Sequence, residues 1–295
     1  MIDFSIIIPT YKDWGRLSLC IDRLLNQKVE GVHFEIIAVD NEPEHAPPAF
    51  FLSKYVHNNV SLIHETSPGS YAARNRGAKL AKGTYLAFTD ADCLPDNRWL
   101  NNAKNRFDEE DCDLIGGKID IFKPDEGGEW AFIYEKHMSF RQHIHVKKGR
   151  SVTANLLVKR RVFESLKGFD SDVKSGGDWE FTERAVSKGF KMVYGDGVVV
   201  KHPARKSVKE IMKKQKRFAA WGYLNVKNRY EHSGLRIIGS SLLRGTPASF
   251  KSASYPEKLN EKLIVLLISL QIHAYKMTLQ ILFLLRIRDP EKIRE

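Results

Sequence analysis

Cysteine is scarce in this chain: Cys20, Cys93 and Cys112 are the only three in 295 residues. An odd, widely spaced set makes neither a disulfide framework nor a zinc-ligand spacing, and it fits a reducing cytosol. No uninterrupted apolar run reaches about 18 residues, so a regular membrane span is not evident from sequence. The apolar run at residues 4–8, close behind Met1, is far too short for a secretion signal. Low-complexity tracts are missing as well. Neither of the two glycine loops that announce many nucleotide sites, Gly-x-Gly-x-x-Gly and the Walker lysine loop, occurs. No recognised nucleic-acid module accompanies the basic residues, so no nucleic-acid partner is expected.

The chain has enough apolar material, 42% of residues, for a proper core. Its length suits one large domain, or one domain with a helical extension. The net charge of +11 is unevenly placed. Residues 201–262 hold fifteen Lys/Arg against four Glu, whereas the first 200 residues are close to neutral. Any acidic partner is therefore sought at the C-terminal third.

Residues 4–8 read as a buried strand that stops at Pro9. Trp14, Leu17, Ile21, Leu24 and Leu25 then recur at helical spacing, with Asp13 placed to cap. A second strand covers residues 34–39 and ends in Asp40-Asn41, and a weaker third covers 60–63. A helix over 71–81, closed by Gly83, precedes a strand at 85–88; another helix is expected at 97–107. Alternating strands and helices argue for a parallel sheet with helices on both faces. Ligands bind such sheets beyond the carboxyl ends of the strands. Beyond residue 110 the pattern changes. Strands are expected at 113–121 and 151–158, with a helix near 130–140 between them. Short helices follow at 160–166 and after Gly176-Gly177-Asp178, then two short strands at 190–194 and 198–200, with His202 just past them.

The chain is organised around Thr84-Tyr-Leu-Ala-Phe-Thr-Asp-Ala-Asp-Cys93, in which the strand at 85–88 runs into Asp90-Ala91-Asp92. In an extended backbone residues i and i+2 share a face, so the two carboxylates would point the same way. They repel unless a cation lies between them. Hard divalent cations take one or two carboxylates together with substrate phosphates. A solvated loop with two acids is the bland alternative, because so short a motif is a weak signal alone.

Several segments, in order, resemble a family-two, inverting glycosyltransferase of the GT-A fold. They are Ser5-Ile-Ile-Ile-Pro-Thr-Tyr11, Ile37-Ala-Val-Asp-Asn41, Gly69 with Ala73-Arg-Asn-Arg-Gly77, Phe88-Thr-Asp-Ala-Asp-Cys93 with Trp99-Leu100, Gly168-Phe-Asp170, Gly177-Asp178 and His202. Each is modest alone; their order makes them specific, and the resemblance covers roughly residues 3–205. It implies an α/β architecture, a mixed, mostly parallel Rossmann-like sheet flanked by helices. The domain division expected is a catalytic part at 1–205 and a basic helical extension at 206–295.

The resemblance also implies roles. Pro9, Thr10, Tyr11 and Asp40 would hold the base and ribose of a nucleotide-diphosphate sugar, most commonly a UDP-sugar. Arg74 would contact the nucleotide or its phosphates, and Asp90 would lie near the ribose or the metal. Asp92 would ligate Mn²⁺ or Mg²⁺, and His202 would complete the metal's surroundings; a nitrogen ligand tilts the choice toward Mn²⁺. Asp178 is the candidate general base that strips the attacking acceptor hydroxyl. The acceptor would be a glycan or a lipid-linked sugar, in making a surface polysaccharide or glycolipid. Two departures stand out. Gly177 occupies a position where the family usually has Glu, and Glu180 is a possible substitute. The loop at 41–48 is acidic and proline-rich. Glu183 and Arg184 look like a structural pair. A nucleotidyltransferase and a non-catalytic scaffold are the competing readings. The first would carry a basic glycine-rich loop near its N-terminus; intact Asp90, Asp92 and Asp178 argue against the second.

In the C-terminal third, residues 207–230 look like an amphipathic helix with a basic face. The apolar stretch at 263–285 is interrupted by Gln271, His273 and Lys276. An interfacial helix on an anionic membrane, a packed helix or homo-oligomer interface, and a spanning helix all compete for it. A cytoplasmic protein, peripheral on the inner face of the cell membrane, is the expected location.

Overall fold

The computed structural model describes residues 2–42, 44–55, 59–173, 175–229, 248, 250–252 and 254–290. The chain begins β1 (Phe4–Thr10), α1 (Trp14–Leu25), β2 (Phe34–Asp40), α2 (Ala49–Tyr55), β3 (Val60–His64), α3 (Ser70–Leu80) and β4 (Tyr85–Thr89). It continues with β5 (Leu94–Pro95), α4 (Trp99–Glu110), β6 (Leu114–Phe122), α5 (Glu129–Met138), α6 (Gln142–His145) and β7 (Asn155–Lys159). Then come α7 (Arg160–Ser165), α8 (Gly177–Ser187), β8 (Met192–Pro203), α9 (Val208–Arg229) and α10 (Leu259–Leu284). The strands form one eight-stranded sheet in the order β3-β2-β1-β4-β7-β6-β8-β5.

The first four strands in that order are parallel, as the strand–helix alternation requires. Ile6, Ile7 and Ile8 are wholly buried, which is why β1 reads as a continuous apolar run rather than an alternating one. From β7 onward the pairings change: β7 runs antiparallel to both β4 and β6, and β5 to β8. The chain winds outward from β1 through β2 to β3, then returns to place β4 on β1's other side. That reversal opens a crevice at the carboxyl ends of β1 and β4. Pro9 lies in this gap. Its partner is Val39 on β2, but the β1–β4 pairing has stopped at Ile7↔Phe88, so a residue with no N–H to donate costs the ladder no bond to β4. Strand β1 therefore runs through Pro9 to Thr10 rather than stopping at the proline.

Other local expectations are revised. Asp13 precedes α1 but makes no capping bond; its carboxylate instead takes Arg16, with Nε at 2.9 Å. Gly83 does not close α3 in a left-handed turn. It is there because β1 passes close by: an added Cβ would lie 2.5 Å from Ser5 N and 2.6 Å from Phe4 C, both main-chain atoms. Helix α2 buries Phe51 and Tyr55, four residues apart, but at seven residues it is too short for that spacing to stand out in the sequence. The two strands at 190–194 and 198–200 are one strand, β8, that runs through Gly195 and Gly197. A Cβ at Gly195 would meet Ile115 of β6 at 2.8 Å, so close strand packing, not a turn, explains that glycine.

The chain divides into two compact units. The first is Met1–Asp120 with Phe140–His202, and it carries the crevice. Its apolar core includes Ile7, Val39, Phe88, Leu156, Phe163, Phe169 and Phe181. The second is Ile121–Ser139 with Pro203–Glu295. Pro203–Glu295 is joined by Ile121–Ser139, a segment that lies within the 1–205 part expected from sequence. The cause is α5, whose Ala131 and Tyr134 bury against Ile211 of α9 and Ile268 and Ile272 of α10. Farther along the same helices, Ala219, Ala220 and Tyr223 pack on Leu279 and Phe283. Helix α10 thus has a packed face among the described residues. It runs 26 residues, through Gln271, His273 and Lys276, and is long and apolar enough to cross a membrane by length and composition.

Candidate active site

The acids at 90 and 92 converge, but not as an extended strand would bring them together. Strand β4 ends at Thr89, and the Cys93 N–H closes a tight turn onto the Asp90 carbonyl at 3.0 Å. The turn, rather than strand alternation, brings the carboxylates near each other. Strand β8 delivers His202 to the same place. Its antiparallel register with β5 pairs Leu94 with Lys201, and one step on sets His202 opposite Cys93. His202 is therefore inside the strand rather than beyond it. Its Nε2 is 3.7 Å from Asp92 Oδ1. Asp90, Asp92, Cys93 and His202 each offer a ligand atom, all within 4.8 Å of one another. Burial pushes the Cys93 thiol well up, with Asp90 and Asp92 adding to the effect, so oxygen and imidazole nitrogen are the usable donors. Arg16, which the sequence reading passed over, places Nη1 3.4 Å from Asp92 Oδ2.

Helix α3 supplies the next group. Arg74 is buried, not a surface arginine. Its Nη2 donates to Asp90 Oδ1, and its guanidinium lies 5.7 Å over the Tyr71 ring. Its Nε is buried and has no hydrogen-bond partner among the described residues. The guanidinium thus keeps one donor that nothing among the described residues satisfies. The helix is locked in place by Asn75, whose side chain both donates to the Phe169 carbonyl and accepts its N–H, at 2.8 and 2.9 Å.

Tyr71 was also missed, and it is the link to Asp178. Its hydroxyl donates to Asp178 Oδ1 and accepts the Asp178 backbone N–H, both at 3.2 Å. Asp178 sits in the first turn of α8, and the Trp179 N–H also reaches Oδ1, at 2.9 Å. Burial raises the Asp178 carboxyl above the ordinary aspartate range, against the Trp179 N–H, the Arg74 charge and Tyr71, which pull it down. The glycine at 177 now has a reason. A Cβ there would press within 2.8 Å of the Tyr71 ring. The tyrosine occupies the space a Glu side chain would need. Glu180 does not replace that side chain, because it is paired with Arg184 at 2.6 Å. Glu183 pairs with Arg150, not with Arg184. The expected Glu183–Arg184 pair therefore does not form, since neighbours on a helix diverge while i and i+4 meet.

Thr10 and Asp40 end β1 and β2 side by side, as the Thr10↔Asp40 register dictates. Asp40 is almost wholly buried, and its Oδ2 has no hydrogen-bond partner among the described residues; His64 Nδ1 is 3.8 Å away, at ion-pair distance. Burial raises its carboxyl, and His64 partly opposes this. Beside it is a cleft of about 390 Å³ lined by Asp40, Glu42, His45, Leu62 and His64. Glu42 of the acidic loop is buried and held by Lys12 at 2.9 Å. Tyr11 is largely exposed, with Lys12 Nζ 5.2 Å over its ring. Asp90, Asp92 and His202 thus form one cluster, and Arg74, Tyr71 and Asp178 form a chain leading from it. Pro9, Thr10, Tyr11 and Asp40 line the neighbouring strand ends.

The family model described as "Glycosyl transferase family 2" matches residues 5–166. This chain belongs to that family. Glycosyltransferase AglE of Haloferax volcanii is 33% identical over 215 residues, 72% of this chain and 70% of AglE. A Methanococcus voltae dolichyl N-acetyl-alpha-D-glucosaminyl phosphate diacetamido-dideoxy-glucuronosyltransferase is 25% identical, over 77% of this chain and 74% of its own. Among solved structures, S. aureus TarS in complex with UDP-GlcNAc superposes with a TM-score of 0.55 at 15% identity, covering 97% of this chain and 92% of that one. The protein is a glycosyltransferase on a GT-A sheet, and the nucleotidyltransferase and scaffold readings fall away. Asp178 and His202 lie beyond the family-matched stretch, so their place in the site rests on this glycosyltransferase's own geometry.

Proposed function

We propose that this glycosyltransferase is metal-dependent and inverting, and moves a sugar from a nucleotide-diphosphate donor to an acceptor hydroxyl. The observation that carries the reading is the convergence of the Asp90, Asp92 and His202 ligand atoms beside the buried Arg74. Two oxygens and a nitrogen suit Mn²⁺, and Mg²⁺ less well. Arg16 Nη1 meets Asp92 Oδ2 at 3.4 Å, a long contact that a cation on that carboxylate could displace. Asp92 and His202 would hold the ion, with Asp90 shared between it and Arg74. The ion would supply positive charge to offset the diphosphate leaving group. Arg74 would contribute its guanidinium charge to the diphosphate. Asp40 and Thr10 would take the base and ribose, since Asp40 Oδ2 makes no hydrogen bond among the described residues and could accept an N–H or hydroxyl. Asp178, oriented by Tyr71 and the Trp179 N–H, would accept the proton of the attacking hydroxyl. A UDP-sugar donor is favoured by the UDP-GlcNAc complex of TarS. A glycan or lipid-linked acceptor, in surface polysaccharide or glycolipid synthesis, is favoured by the dolichyl-phosphate-linked sugar in the Methanococcus relative's name.

The test is metal removal. EDTA-treated protein is expected to lose UDP-sugar turnover, and Mn²⁺ to restore it. Mn²⁺ binding read by paramagnetic resonance should be weakened at least about tenfold by Asp92→Asn, as loss of a ligand entails. Full turnover in EDTA would refute the metal role.

The C-terminal unit is read as a peripheral contact with an anionic membrane on the cytoplasmic side. Leu259, Leu263 and Leu267 of α10 are exposed at four-residue spacing, so they share one face. That face and the lysines of α9 together match the apolar-plus-basic composition of interfacial helices. The full chain is expected to float with phosphatidylglycerol vesicles and not with phosphatidylcholine ones. The double variant Leu263→Glu/Leu267→Glu should stay at the bottom of the gradient. A concentration-dependent dimer that ignores vesicles would instead assign the face to a second copy.

A further inference from the structure

Residues 140–150 join the two chemical ends of the site. At one end Phe140, in the left-handed region at φ 50°, sets its ring 4.5 Å from that of His202. At the other end the Arg150 guanidinium lies 4.9 Å over the indole of Trp179, the residue after Asp178. His145 meets the same indole edge-on, with ring centres 5.1 Å apart and planes at 84°. Between these ends come Arg141, His143, Lys147 and Lys148, and no acid. Glu183 takes the Arg150 Nε at 2.5 Å, but Lys147 and Lys148 are exposed and form no ion pair among the described residues. The charges crowd a single imidazole. Burial first, then Arg141, Lys148, Arg150 and His143, hold the His145 ring down to about 4, so it is neutral at neutral pH. Its Nδ1 is buried and has no hydrogen-bond partner among the described residues.

Like charges gathered this closely repel, and nothing described in the chain neutralises Lys147 and Lys148. His145 and Arg150 both contact Trp179, the residue after Asp178, so this segment borders the place where an acceptor hydroxyl would meet the base. One carboxylate is saturated by a single arginine fork, whereas a phosphate group presents several strong acceptor oxygens to cations on different sides. We propose that residues 140–150 and Trp179 form the acceptor subsite, and that it takes an acceptor carrying a phosphate group near the attacking hydroxyl. The inference rests on Asp178 as the base and adds the chemical class of what that base deprotonates.

Titration calorimetry on the full chain, with UDP and Mn²⁺ filling the donor site, tests it. The probes are glycerol 3-phosphate, monomeric dihexanoyl phosphatidic acid, glucuronic acid and maltotriose. At least one phosphate probe is expected to bind about tenfold or more tighter than glucuronic acid or maltotriose. Lys148→Glu should weaken that binding about tenfold, while Lys79→Glu, the same charge change on an exposed site of α3, leaves it alone. A response to glycerol 3-phosphate alone assigns a soluble phosphoglycan, and one to the lipid probe alone a lipid-linked acceptor; either supports the subsite. Equal binding by Lys148→Glu and wild type, or glucuronic acid binding as tightly as the phosphates, overturns it. Such a result beside intact Mn²⁺-dependent donor turnover removes only the acceptor chemistry. Undiminished turnover in an Asp178→Asn protein would remove the reading beneath it.

Discussion

Asp178→Asn is expected to lower kcat by about 10²–10⁴-fold, the usual worth of a positioned general base, while donor affinity holds. The amide keeps the shape and can still accept from Tyr71 and the Trp179 N–H, so geometry is not what is lost. Two pH signatures accompany it. Because burial raises the carboxyl, wild-type kcat should fall with decreasing pH sooner than an ordinary aspartate base would allow. Stability moves the other way. A folded pKa above the unfolded one means that the contribution is fully present below the unfolded value and lost as pH rises through the folded value. Asparagine never ionises and escapes that loss. The melting temperature of the variant relative to wild type should therefore climb between acid and neutral pH. Thermal scans across that window, beside initial rates, check both. A variant that melts earlier than wild type at neutral pH and still turns over would contradict the assignment.

Arg74 has the second largest expected effect. Replacing it with Ala strands Asp90 and empties the space over Tyr71. Removing one member of a buried pair costs roughly 3–5 kcal/mol, and about 2–3 kcal/mol is reasonable here because Asp90 stays 31% exposed. Donor affinity, read by UDP titration, should fall about 100-fold, the scale of hydrogen bonds to a charged group. Arg74→Lys separates charge from geometry. Lysine keeps the positive charge but cannot reach Asp90 and a phosphate at once while lying flat on an aromatic ring. Little of the lost affinity should return. A lysine variant that binds UDP like wild type would reduce Arg74 to a point charge.

The strand ends that make the site are legible one by one. Asp40 closes an apolar run, Asp90 and Asp92 follow another, and each signal is local because burial and periodicity are local. Tyr71 was not legible. Its signal was a single apolar-looking residue on a helix, and its use depends on α8 arriving 107 residues later to offer Asp178. Gly177 shows the same limit from the other side. In sequence it looks like the loss of a carboxylate; in space it is the room that Tyr71 requires. Ile121–Ser139 likewise carries no mark of its unit, since what assigns it is the burial of Ala131 and Tyr134 against helices far along the chain.

The sequence by itself determined the family, the parallel half of the sheet and the acids at its carboxyl edge, because strand patterning and short motifs act over a few neighbouring residues. The tertiary structure alone decided which side chains meet: His202 beside Asp92, Tyr71 on Asp178, Glu180 taken by Arg184, and the basic run at 140–150 laid between the two ends of the site. Those contacts join residues tens to a hundred or so positions apart, or pick one partner among several in reach. They exist only once strand order, register and helix docking have closed around the crevice.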